Sequence, residues 1–269
     1  MSSKSVISAR NVKKTFGDIK AVDDISFEVE AGEIFAFLGP NGAGKSTTIS
    51  MLTTMLRPTA GKLFLNGHDV TKEQSSARKS FGIVFQDPAL EEELTAQENM
   101  QIHAVLYGIP KTEQAKRIEE LMRLVDLWGR KDSYVKTFSG GMRRRLEIAR
   151  GLLHHPKILF LDEPTLGLDT QTRNLLWDYV KKLRDSAGTT IFFTTHYLDE
   201  AEAVADRIAI IDHGKIIATG TSKQLAKQTC TNTLEEAYLE LTGREVRDET
   251  SLGNNGLNVR TAMRNRNIR

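Results

Sequence analysis

The sequence predicts an α/β fold: a mostly parallel sheet flanked by helices, with an antiparallel edge layer and an inserted helical subdomain. Three observations predict it. Short, continuous apolar runs recur along the chain, as expected for strands buried on both faces. Most of these runs are separated by apolar residues at helical spacing, and strands alternating with helices imply parallel pairing with helices on both faces. Two hairpin-type dipeptides, Asn66-Gly67 and His213-Gly214, sit beside short strands and point to the antiparallel layer.

Taken in order, the alternation at 24–29 (DISFEV) reads as a half-buried strand, and IFAFL at 34–38 as a fully buried one. Further apolar runs at 81–85, 158–161, 191–193 and 208–211 supply the other core strands. Ile49, Leu52, Met55 and Leu56 make a helical stripe after the second strand. Ile118, Leu121, Met122 and Val125 make another, and Leu175, Leu176, Tyr179, Val180 and Leu183 a third. The stretch 87–155 carries helical patterns and no strand pattern, so it is expected to form the inserted subdomain. Residues 1–228 are expected to form the main domain and 229–248 a helical extension. In that extension a capping box (Thr233 with Glu236) opens a stripe of Leu234, Ala237, Tyr238 and Leu241, which Gly243 stops. Residues 249–269, rich in Asn, Gly and Arg, are expected to be a disordered basic tail.

Composition narrows the function. The chain has 269 residues, 39% hydrophobic and 27% charged, ordinary for a globular protein and unlike collagen or a largely disordered chain. No window approaches the roughly 18 uninterrupted apolar residues of a spanning helix. The start, MSSKSVISAR, has no apolar core of a secretory signal. The single cysteine, Cys230, leaves no internal disulfide, which fits a reducing compartment. The net charge of +2 is uneven: the last twenty residues hold four arginines and no acid, and removing those four from 37 basic side chains leaves 33 against 35 acidic. The body is therefore near neutral, and no nucleic-acid partner is expected.

Gly39-Pro40-Asn41-Gly42-Ala43-Gly44-Lys45-Ser46 matches G-x-x-x-x-G-K-S/T, with an apolar strand before it and a helical stripe after it. Glycines let successive N–H groups turn inward around a phosphate, and the helix that follows adds its positive end. Lys45 would reach the β/γ-phosphates, Ser46 would ligate Mg²⁺, and Thr47 extends the cradle. At 158–163 an apolar strand ends in two carboxylates. Asp162 would meet the Mg²⁺, and Glu163, one residue further, would polarise the attacking water as a general base. Without the phosphate loop, the two acids could equally be a solvated turn before Pro164.

The segment FSGGM-RRRLEIARGLL-HHPKILFLDEPTLGLD and the order of motifs around it resemble ATP-binding-cassette (ABC) ATPases over roughly residues 5–222. The resemblance implies a P-loop NTPase (RecA-like) core and casts the phosphate loop as Walker A, Gln86 as the Q-loop, Ser139-Gly140-Gly141 as the signature, Asp162-Glu163 as Walker B, Asp169 as the D-loop and His196 as the switch histidine. It places Gln86 near Mg²⁺ and the attacking water, and His196 at the γ-phosphate. Phe16 matches the aromatic that stacks on adenine; the alternative is an ordinary core side chain. Free N–H groups at the helix start after Ser139 would form a second anion site. Arg143, Arg144 and Arg145 beside it either await that anion or pair with Glu147 and other acids. His154-His155 lack metal-ligand spacing and read as a helix end before Pro156.

Through the same resemblance two ATP-binding subunits pack head to tail, so that Ser139, Gly140 and Gly141 of one cover the ATP on Lys45 of the other. A homodimer is expected, together with an integral membrane permease subunit that docks along 87–108 and holds the chain at the cytoplasmic face. The acidic run Glu91–Glu93 is either a solvated loop or a contact for a basic partner residue. Met142 stands where many members have glutamine; with the arginine-rich helix start and ELTGREVRDE, it resembles ATP-binding subunits of drug-resistance exporters of the daunorubicin type. The implied function is ATP hydrolysis that powers export of a drug, lipid or other amphipathic compound. The rivals are a soluble ABC ATPase not coupled to transport, an importer subunit, and a regulatory module that holds ATP without hydrolysing it. The soluble kind usually carries two cassettes or a coiled-coil insertion, neither of which is present. A GTPase is disfavoured because no N-K-x-D motif occurs.

Overall fold

The computed structural model describes residues 5–87 and 89–243. The elements run β1 Ser5–Phe16, β2 Ile19–Glu30, β3 Ile34–Leu38, α1 Lys45–Leu52, β4 Ala60–Leu65, β5 His68–Asp69, α2 Gln74–Lys79 and β6 Phe81–Val84. Three longer helices follow: α3 Ala96–Leu106, α4 Lys111–Leu124 and α5 Gly140–Gly151. The chain then returns through β7 Ile158–Asp162, α6 Thr170–Ala187, β8 Thr190–Thr195, α7 Leu198–Val204, β9 Arg207–Asp212, β10 Lys215–Gly220, α8 Ser222–Gln228 and α9 Leu234–Thr242.

Six strands form the main sheet in the order β10-β9-β3-β8-β7-β6. All its pairs are parallel except β9–β10, which the His213-Gly214 turn joins as an antiparallel edge. The Asn66-Gly67 turn instead joins β4 to β5 in a separate antiparallel sheet of order β2-β1-β4-β5. The two hairpin signals therefore belong to different sheets.

Alternate side chains of β3 enter two cores. Ile34, Ala36 and Leu38 face the helices α3 to α9. Phe35 and Phe37 face α1 and the antiparallel sheet, in a cluster of rings with Phe27 and Phe192 whose centroids lie 5.5–5.9 Å apart. Helices lie on both faces as expected, and on the second face α1 and α2 share the cover with the antiparallel sheet. Where β6 meets α5 there is no room for a side chain, since a Cβ on Gly82 would lie 2.1 Å from the Gly151 carbonyl oxygen.

Side-chain caps set where the helices begin. Thr95 and Glu98 form a reciprocal capping box on α3, and Ser139 and Asp169 accept from the backbone N–H three residues on in α5 and α6. Thr233 caps α9 in the same way. Its expected box is only half formed, because the Glu236 carboxylate turns to the Asn232 N–H at 2.9 Å. Gly243 ends α9 at φ 66°. The basic tail and residues 244–248 lie outside the described residues.

Two helical stripes are shorter than their patterns. α1 stops at Leu52, where the Thr53 hydroxyl bonds back to the Ile49 carbonyl and Thr54 turns to φ 64°, leaving Met55 exposed. In α6 Leu175 points to solvent, and Trp177 fills the core beside Leu176, Val180 and Leu183. Among the described residues no helix is long and apolar enough to cross a membrane.

Candidate functional site

The carboxyl ends of the parallel strands β3, β6, β7 and β8 share one edge of the main sheet, the edge at which open α/β sheets place their ligands. β3 delivers the loop 39–44 to that edge and α1 starts at once with Lys45. Gly44, just before the helix, sits at φ 105° with its Cα so close to β2 that a Cβ would be 2.5 Å from the Ala21 carbonyl oxygen. The Ala43 N–H closes the turn onto the Pro40 carbonyl at 3.2 Å. The first N–H groups of α1 have no acceptors within the helix.

Lys45 is buried, and its ammonium donates to the carbonyls of Gly39 (2.7 Å) and Pro40 (3.1 Å). Its third neighbour is Glu163 Oε1, also at 3.1 Å. Across the sheet, β7 pairs with β8 so that Asp162 stands opposite Thr194. The Thr194 hydroxyl donates to Asp162 Oδ1 at 2.6 Å and accepts from the Glu163 N–H at 3.0 Å. Ser46 Oγ donates to the same Asp162 oxygen at 3.3 Å.

The two acids are tuned in opposite directions. Burial pushes the Asp162 carboxyl above the ordinary range, against the two hydroxyls that bond it. Burial also acts on Glu163, but His196 and Lys45 outweigh it and hold its carboxyl below the ordinary range. His196 Nδ1 lies 3.3 Å from Glu163 Oε2, close but not aligned as a hydrogen bond. Glu163 itself has φ 45°, a left-handed backbone state costing on the order of 1–3 kcal/mol for a residue with a Cβ.

These groups border one cavity of about 380 Å³, lined by Asn41, Gly42, Gly44, Lys45, Ser46, Thr47, Gln86, Glu163 and His196 with Ala21 and Leu166. Gln86 reaches it from the segment just past β6. The structure thus brings together the phosphate loop, Glu163, Gln86 and His196, with Asp162 behind them on Ser46. Phe16, Ser139, Gly140, Gly141 and Asp169 do not line this cavity. Ser139 and Asp169 cap α5 and α6 side by side, and a Cβ on Gly141 would lie 2.3 Å from Thr172 Cγ2. Phe16, at the end of β1, is 48% exposed with Lys14 Nζ 5.0 Å from its ring centroid, so it is not a core side chain.

The arginine run pairs within the chain: Arg143 with Glu92, Arg144 with Glu147 and Arg145 with Asp126. The acidic run is likewise engaged, since Glu93 meets Lys136 at 2.7 Å. Two residues of the site escaped the sequence reading. Thr194 carried no motif of its own, although it directly precedes Thr195 and His196. Arg144 was one of three like charges, and its three-residue spacing to Glu147 did not set it apart from Arg143, four residues away.

Residues 22–166 match the family model described as "ABC transporter". The chain belongs to the ABC transporter family. It is 46% identical over 228 residues to the daunorubicin/doxorubicin resistance ATP-binding protein DrrA of Streptomyces peucetius, an alignment covering 85% of this chain and 69% of that protein. Its fold is similar to a solved structure of an ATP-binding subunit of an ABC transporter, with a TM-score of 0.80 at 30% identity over 88% of this chain and all of that one. It is also similar to the dimeric structure of MJ0796, a bacterial ABC transporter cassette, with a TM-score of 0.72 at 28% identity over 80% of this chain and 98% of that one. The chain is an ABC ATPase subunit that binds and hydrolyses ATP.

Proposed function

We propose that this ABC ATPase powers export of a hydrophobic or amphipathic compound through a separate membrane subunit, with Glu163 as the general base for ATP hydrolysis. The observation that carries the chemical part is the Glu163 carboxylate held ionised between Lys45 and His196 on the cavity wall. Phosphate oxygens arriving in the loop would compete for the Lys45 ammonium, and Glu163 would then be free to face the attacking water. The water proton passes to a Glu163 carboxylate oxygen as the water oxygen bonds the γ-phosphorus and the bond from that phosphorus to the β,γ-bridging oxygen breaks, its electron pair leaving on ADP; His196 and Gln86 position the water and the oxygens of the transferred phosphoryl group.

The donor set fits Mg²⁺: a hydroxyl and a carboxylate, Ser46 and Asp162, already share one point beside the loop, and Gln86 adds an amide oxygen from the other wall. When bound there, Mg²⁺ would neutralise charge on the phosphate oxygens. Ser46, Asp162 and Gln86 are the residues that would hold it.

Ser139, Gly140 and Gly141 do not line the Lys45 cavity of their own chain, which favours their use on a second copy packed head to tail. Asp169 would lie at that seam, and the open ring of Phe16 would stack on adenine, an interaction of about 1–3 kcal/mol in nucleotide stacking sites. Exposed Ile102, Val105, Leu106 and Tyr107 on and just after α3 suit an integral membrane partner along 87–108, which would keep the chain on the cytoplasmic face. Export rests on the relatedness to DrrA, a resistance protein by name. Capture of the full chain from detergent-solubilised membranes, with partners identified by mass spectrometry, tests the coupling. A co-purifying multi-spanning protein is expected; recovery only with ribosomes or without a partner would refute transport.

A further inference from the structure

Arg144 is the most heavily bonded side chain near the site, and the hydrolytic scheme above gives it no role. It is 7% exposed, on the first turns of α5, and its guanidinium donates in a fan. Nη2 bonds the carbonyls of Asp162 (3.1 Å) and Glu163 (3.2 Å), and Nε that of Pro164 (2.9 Å). Nη1 bonds the Phe85 carbonyl, immediately before Gln86, and Glu147 Oε2 at 3.1 Å. The other oxygen of Glu147 accepts from the Ala89 N–H at 2.8 Å, on the far side of Gln86.

Three successive carbonyls at a strand end do not ordinarily converge on one cation. They do so here because Glu163 stands at φ 45°, a state that its side chain and the following Pro164 both make uncommon. Its N–H is held by Thr194 and its carbonyl by Arg144, so both flanking peptide groups are tied. The guanidinium fork can span these acceptors in one plane; an ammonium cannot.

We infer that Arg144 is a positioning residue for the reaction, aiming the Glu163 carboxylate by clamping its strained turn and, through Phe85 and Glu147, locking the Gln86 segment and the helix begun by Ser139 into the same rigid unit. This inference rests on the reading of Glu163 as the general base. It adds that movement of α5 at its Ser139 end is transmitted to the base and to Gln86 by one side chain.

The test uses the full chain. Arg144→Lys keeps the charge opposite Glu147 but not the fork. Arg144→Met with Glu147→Leu removes the buried pair together, so that neither member is left facing the loss of the other. Both are expected to lower kcat for ATP by about 10–100-fold, the scale of a misaligned catalytic group. ADP affinity by calorimetry is expected to stay within about threefold, because the phosphate loop is untouched. Placed on Glu163→Gln, Arg144→Lys is expected to lower the residual single-turnover rate by clearly less than it lowers that of the parent, since the carboxylate it aims is gone and only the Gln86 segment is left to hold. A kcat within about threefold of the parent in Arg144→Lys, or an equal loss in the Glu163→Gln background, overturns the positioning role while leaving the base assignment standing. Parental turnover by Glu163→Gln alone overturns both.

Discussion

Lys45 Nζ and Glu163 Oε1 stand 3.1 Å apart, both buried, so the cation proposed for phosphate and the carboxylate proposed for water hold each other. Neither desolvated charge is left alone, and the remaining ammonium donors are spent on the Gly39 and Pro40 carbonyls. A triphosphate entering the loop would exchange one anion for another at Lys45. In the proposed mechanism the same exchange would uncover Glu163, so that nucleotide binding and exposure of the base would be one event.

Lys45→Ala removes that exchange. A charged hydrogen bond contributes about 1.5–3 kcal/mol, so nucleotide affinity is expected to fall by tenfold or more. Unchanged binding by calorimetry would refute the role of the loop.

Glu163→Gln keeps the shape of the side chain and cannot accept the water proton. Turnover is expected to fall by about 10²–10⁴-fold with ATP binding retained, and the ATP-bound form to accumulate as a dimer. Steady-state phosphate release and size-exclusion chromatography with ATP read the two parts separately.

Thr194→Val takes a hydroxyl from between Asp162 and the Glu163 N–H and leaves both buried groups short of a partner. Stability is expected to drop by about 1–3 kcal/mol in urea unfolding, and Thr194→Ser to recover most of it. Equal midpoints for the two variants would show that the hydroxyl is not what matters.

Gly82→Ala places a methyl against backbone, 2.1 Å from the Gly151 oxygen, where no side-chain rotation relieves it. β6 and α5 must part, at a cost of about 1–3 kcal/mol or more. A thermal midpoint unchanged from the parent would show that this seam yields freely.

His103, on α3, is pushed down to about 4 by burial and by the nearby Arg150. Between pH 6.5 and 4 the unfolded chain then binds a proton that the folded chain does not, so stability falls as pH falls through that window. His154 is lowered in the same direction by burial and adds to the slope. Since part of the His103 ring meets solvent, its share is at most about 2 kcal/mol. Urea midpoints measured at several pH values should flatten in His103→Gln; an unaltered slope would place the proton uptake elsewhere.

The strands that position the site were readable because a strand buried on both faces must be apolar throughout, as IFAFL and ILFLD are. β1 was not, since bulges break its alternation and Asn11 turns to φ 49° within it. The hairpin dipeptides showed where the chain reverses but not in which sheet, because a two-residue turn looks alike in both. Met55 fitted a helical stripe but lies past the end of α1, and Leu175 lies exposed within α6, since periodicity marks a face without saying where the helix stops or how far a neighbouring element covers it.

The order and spacing of residues alone determined the phosphate loop, the two carboxylates at a strand end and the family they signal, because those features depend on contiguous backbone and on residue type. The tertiary structure alone decided that Lys45 pairs with Glu163, that Thr194 joins the two acids, and that Arg144 rather than either neighbouring arginine clamps the turn. Each of these depends on strands and helices far apart in the chain meeting at one sheet edge, where burial makes every unpartnered polar group costly and so selects which donor meets which acceptor.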